Sequence, residues 1–147
     1  MTTTAPVADS RALGLAHYAA RAVLESVLEG HGATFQQQVA LRLVALAEQP
    51  VEREALVAQV VDSLKVDAAD AHRVVDELGT KGLVTVDGTQ VRITDAGRDL
   101  YATVTAETGR MSARIWGDIP AQDLAAAGRV LATVTERANA ELAALSA

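Results

Sequence analysis

Lys65, His72, Arg73, Lys81, Gln90 and Arg92 fall in one stretch of the chain, and each can hold an anion or a hydrogen-bonding edge. Arg73 is the strongest of them. A guanidinium is a planar fork and can grip guanine or a phosphate through two parallel bonds. Its competing use is an ion pair with Asp76 or Glu77 on its own helix, worth little at a surface. Lys65, Lys81, Gln90 and Arg92 suit phosphate oxygens, contacts that position a partner without reading its sequence. Arg92 serves equally well as a solvent-facing strand residue. His72 can donate to a base edge or stand in solvent. Ala68 and Ala69 offer methyl groups to thymine methyls, or are simply good helix formers. Acids are interleaved. Asp67 reads as an N-cap. Asp70 suits a helix dipole but repels phosphate.

A second set lies outside this stretch. His17 and Arg21 are i, i+4 neighbours and can meet a ligand carboxylate or face water. Trp116 either closes a ligand pocket with them or packs at a helix end. With three scattered histidines and no cysteine, no metal site is expected. There is no glycine-rich phosphate loop and no Gly-x-Ser-x-Gly, and Asp76-Glu77 point differently on a helix. No catalysis and no cofactor follow.

The elements that must position these residues come from a chain of 147 residues, one domain or one two-lobed unit. Half the residues are apolar but only 3% are aromatic, so Ala, Val and Leu must build the core. The absence of cysteine removes disulfides and thiolate chemistry. The start has no basic-then-apolar signal pattern, and no apolar run approaches the roughly 20 residues that span a bilayer. A soluble, cytoplasmic protein is expected, with no membrane partner. Net charge is −6, spread evenly: 4 basic and 6 acidic groups in 1–54, 5 and 7 in 55–98, 4 and 6 in 99–147. No basic arm exists, so a positive surface must come from clustering in space.

Apolar spacing by threes and fours predicts a first helix from Ser10 to Glu29 along Leu13, Ala16, Ala20, Val23, Leu24, Val27 and Leu28. Gly-His-Gly at 30–32 ends it. Thr34 and Gln37 form a capping-box pair for a second helix, with Phe35, Val39, Leu43 and Leu46 inward. Pro50 closes it. A third helix spans 52–64. Asp67 caps a fourth, with Ala71, Val74, Val75 and Leu78 inward, ended by Gly82. Leu83–Val86 and Gln90–Thr94 then flank Asp87-Gly88, the signal of a type I′ hairpin with both central residues at positive φ. Thr94 or Asp95 caps a fifth helix with Leu100, Val104, Thr108, Met111 and Ile115 on one stripe. Residues 117–120 break it. A sixth helix runs from Ala121 along Leu124, Ala127, Leu131, Val134, Ala138, Leu142 and Leu145. Two short helices followed at once by a hairpin make a winged helix-turn-helix, with Leu83, Val84 and Ile93 over its core.

In this order the chain resembles the MarR family of bacterial transcriptional regulators. The likeness rests on residues 64–84, with Arg73, Val75-Asp76, Leu78 and Gly82-Leu83-Val84, and on residues 91–100 and 119–134. Helix one and residues 34–46 fit the remainder. The resemblance implies a mainly α fold with a small two-stranded β wing: a winged helix-turn-helix plus a helical dimerisation region. Residues 1–10 would be a flexible N-terminus, 11–33 with 99–147 the dimerisation region, and 34–98 the DNA-binding domain. It further implies a homodimer on a palindromic double-stranded DNA operator, acting as a repressor released by a small effector, often phenolic. The wing is short, with no basic residue before Arg92, and Ala68, Ala69 and Asp70 stand where the family tends to carry hydroxyl or amide side chains. Those features favour the alternative, a degenerate winged helix that binds a protein partner instead of DNA.

Overall fold

Short-range capping sets most helix boundaries. Asp9 accepts from the Ala12 amide at 2.8 Å and opens α1 (Ser10–Gly30). Thr34 and Gln37 complete a reciprocal capping box at 3.2 Å each way, opening α2 (Phe35–Leu46). Asp67 accepts from Asp70 at 2.8 Å and opens α4 (Ala68–Thr80). The ends of α1 and α4 share one device. Gly32 (φ +70°) and Gly82 (φ +72°) take the left-handed position, so Ala33 donates to Leu28 O and Leu83 to Leu78 O, both at 3.0 Å. That Schellman closure satisfies the last carbonyls.

The structure is a computed structural model and describes residues 6–147, which form six helices and three strands. The remaining elements are β1 (Val51–Glu52), α3 (Arg53–Leu64), β2 (Val84–Asp87), β3 (Gln90–Ile93), α5 (Asp95–Trp116) and α6 (Ala121–Leu145). The expected flexible start, 1–10, includes residues 1–5, which lie outside this description. Two compact units divide the chain, Met1–Arg110 and Met111–Ala147, with the boundary inside α5.

The sheet has three strands where two were expected, in the order β1-β3-β2, all antiparallel. Pro50 keeps Gln49 out of α geometry. The chain therefore stays extended for two residues and lays Val51 and Glu52 against Val91 and Gln90. The hairpin turn is also shifted by one residue. Asp87 pairs with Gln90, so the central residues are Gly88 and Thr89. Only Gly88 (φ +62°) is at positive φ. That is the first central position of a II′ turn, not the I′ turn expected of Asp87-Gly88.

The core of the first unit gathers Leu41, Leu56, Val60, Val74, Val75, Leu78, Val84 and Val91 from α2, α3, α4 and the sheet. On α4 the buried set is the expected one. On α2 it is Gln37, Ala40, Leu41 and Val44, while Leu46 is 61% exposed. Apolar residues surround α2, so its periodicity fitted either face, and packing against α3 and α4 chose between them. The stripes of the long helices are mostly uncovered. Leu13 on α1 and Ile115 on α5 are exposed, and α6 buries none of its residues. Among the described residues no helix is long and apolar enough to cross a membrane.

Candidate nucleic-acid interface

Burial of Ala71, Val74, Val75 and Leu78 orients α4. It leaves Ala69, Arg73, Asp76 and Thr80 as the opposite, outward line. Ala68 is exposed beside Ala69 in the first turn. Arg73 holds Asp70 Oδ1 at 2.9 Å, an i, i+3 pair, and not Asp76 or Glu77, the partners its competing use named. Its side chain keeps 59% of its exposure, and such a surface pair contributes only about 0–1 kcal/mol. A phosphate or a guanine edge can therefore displace Asp70 at small cost.

The other cations are used unequally. Lys65 sits in the turn between α3 and α4 at φ +56° and lies 3.5 Å from Asp62. Lys81 donates to Gly32 O at 2.5 Å and to Gln37 Oε1 at 2.7 Å, fastening the end of α4 to the α1–α2 loop. Gln90 donates to Glu52 across the sheet. Arg92 is exposed on β3 opposite Thr85 and forms no ion pair among the described residues.

His72 is half-buried and not alone. Its Nδ1 accepts from Arg53 Nε at 3.2 Å, and its Nε2 lies 3.8 Å from Glu54. Arg53 opens α3 and also reaches Asp76 Oδ1 at 2.9 Å. Sequence reasoning missed Arg53, because its partners stand 19 and 23 residues away and no local pattern marks it.

Of the suggested ligand residues, Arg21 lines a cleft of about 250 Å³ with Glu25, Phe35, Arg73 and Glu77. Its guanidinium stacks 4.2 Å above the Phe35 ring and holds Glu25 at 3.0 Å. His17 is exposed, with Tyr18 6.1 Å away ring to ring. Trp116 belongs to the second unit and is 53% exposed. Among the described residues no three His, Asp or Glu are grouped to hold a metal ion.

No family model matches the chain, and no curated protein matches it in sequence. Solved structures do. CouR from Rhodococcus jostii RHA1, solved bound to p-coumaroyl-CoA, is 19% identical with a TM-score of 0.70, over 84% of this chain and 88% of its own. A MarR family transcriptional regulator from Streptomyces coelicolor is 21% identical with a TM-score of 0.69, over 88% and 91%. The fold is that of the MarR family. A third MarR structure, a transcriptional regulator from Rhodococcus sp. RHA1, is 20% identical with a TM-score of 0.69, over 88% of this chain and 98% of its own. In this chain α3 and α4, joined by the turn at Lys65, are followed at once by the β2–β3 hairpin, as in a winged helix-turn-helix, and Arg73 stands on the outward line of α4.

Proposed function

We propose that the chain is a dimeric, cytoplasmic DNA-binding transcriptional regulator, a repressor that a small effector releases. Arg73 carries this reading: a weakly tethered guanidinium in the middle of the outward line of the second helix of a helix-turn-helix. Ala68 and Ala69 let that helix approach base edges closely, and Lys65 and Arg92 supply phosphate contacts. His72, Lys81 and Gln90 act inside the head, holding its parts. Residues 34–98 read a palindromic operator.

Residues 11–33 and 99–147 form the dimer interface. Val130, Leu131, Val134 and Leu142 are 42–49% exposed on α6, and apolar surface of that extent marks an interface. The effector is an aromatic acid in the cleft of Arg21 and Phe35, where a ring can stack and a carboxylate can take the guanidinium.

Selection of genomic fragments by the purified protein tests the reading. A recovered palindrome, bound less tightly by Arg73→Ala, supports it. Asp70, Asp76 and Asp87 on the exposed head favour a protein partner instead. Failure to retain any fragment at low salt turns the assignment to that reading.

A further inference from the structure

One residue of α3 reaches into both halves of the reading head. The Arg53 backbone N–H donates to Thr89 O at 2.7 Å, holding the tip of the wing. Its guanidinium donates to His72 Nδ1 at 3.2 Å, to His72 O at 3.3 Å and to Asp76 Oδ1 at 2.9 Å. The Arg53 side chain is only 20% exposed, whereas Asp76 is 69% exposed on the outward line of α4. The guanidinium is thus held within the head, and the carboxylate it neutralises is presented outside.

We propose that Arg53 is a positioning residue that masks Asp76 on the reading face and sets the wing against α4, so that an acidic helix can lie against phosphates. This rests on the DNA-binding reading above. Without the Arg53 side chain, Asp76 faces the phosphate backbone as a free negative charge, and the wing, still held by the backbone N–H at residue 53, loses that residue's link to α4. A phosphate contact made by Arg53 itself is a different role. It would add to the number of neutralised phosphates, and each adds about −0.9 to the slope of log affinity against log salt.

The test is a double-mutant cycle on the duplex recovered by selection, using Arg53→Met, Asp76→Asn and the double variant. Arg53→Met keeps the aliphatic stem and removes the charge. It is expected to weaken binding about tenfold or more, and Asp76→Asn in that background to recover most of the loss, since directly contacting groups are not additive. Asp76→Asn alone leaves affinity unchanged or slightly tighter. Melting curves confirm that each variant is folded. If Arg53→Met does not fold, the same cycle is run with Arg53→Gln, which also removes the charge but keeps a hydrogen-bond donor for His72.

A separate readout needs no DNA. The ¹⁵N shifts of His72 in the free protein should show the tautomer protonated at Nε2, because Nδ1 accepts from Arg53, and Arg53→Met should mix the tautomers. A wild-type protein that binds duplex, with a double variant no better than Arg53→Met, overturns the inference and leaves the DNA-binding reading standing. A wild-type protein that binds no duplex overturns that reading and the masking role with it. A His72 tautomer protonated at Nδ1 in wild type overturns the clamp itself.

Discussion

Gly97 and Leu83 are packed so closely that no methyl group fits between them. A Cβ on Gly97 would collide with the Leu83 carbonyl oxygen and lie 2.8 Å from Cγ1 of Ile93. The closeness follows from the start of α5. Thr94 donates its backbone N–H to Leu83 O at 3.1 Å and its hydroxyl to Gly82 O at 2.7 Å, and its Oγ1 accepts from Gly97 N at 3.0 Å. One threonine therefore joins the entry and exit of the wing. Gly97→Ala is expected to cost about 1–3 kcal/mol, as overpacking does. Denaturant titration checks it, and a midpoint equal to that of the parent refutes the packing argument.

Gly88 makes the wing turn at φ +62°, with open space around its missing side chain. Any cost of substitution there is backbone strain alone. Gly88→Val should lose about 1–3 kcal/mol, the usual range for a non-glycine residue in that region. Gly88→Asn should lose less, because asparagine tolerates positive φ. Thermal melts of the two variants rank them.

The capping box at Thr34 has both halves in place, and Gln37 is nearly fully buried. Thr34→Ala should destabilise by about 0.5–2 kcal/mol. Gln37→Ala should cost more. It removes one half of the box and also strips the Lys81 ammonium and Glu77 of a partner. Equal losses from the two substitutions would show that Gln37 acts only as a cap.

On a selected operator, Arg73→Ala should cost about 1–3 kcal/mol of specific binding. Asp87 is exposed on β2 beside the turn, where it repels phosphates, so Asp87→Asn should change little or tighten binding slightly. The salt dependence of wild type should be shallow, because few cations on the head lack an internal partner. A salt series of binding isotherms on the three proteins measures all of this. Strong loss in Asp87→Asn with none in Arg73→Ala would invert the proposed interface.

Leu131 is 43% exposed and Leu142 45% exposed on α6. If this face is the dimer interface, Leu131→Asp buries an unpaired carboxylate there, which is strongly unfavourable. Aggregated or unfolded protein is expected rather than a clean monomer. Sedimentation of wild type at micromolar concentration as a stable monomer would overturn the dimer.

Capping and glycine chemistry act over three to six residues, so they were readable directly. Thr34 with Gln37, Asp67 with Asp70, and Gly82 after α4 appear in the structure as their spacing requires. The inward face of α4 was equally plain, because its other side is polar. The inward face of α2 was not, because apolar residues surround that helix and only its neighbours could choose among them. The hairpin was legible but its register was off by one. The Asp-Gly signal locates a turn, while cross-strand pairing decides which residues stand at its centre.

The site divides along the same line. Sequence by itself determined that α4 would be a capped, amphipathic helix with Arg73 outward, since periodicity alone orients a side chain on a one-sided helix. Tertiary structure alone decided what Arg53 and Lys81 do. It drew Arg53 to His72 and Asp76, turned Lys81 onto the α1–α2 loop, and laid β1 beside β3. The reason is physical: the partner of a charged group is set by whichever groups core packing brings within about 3 Å of it. For Arg53 and Lys81 those groups lie 19 to 49 residues away, whereas Arg73 and Lys65 pair within three residues on the chain.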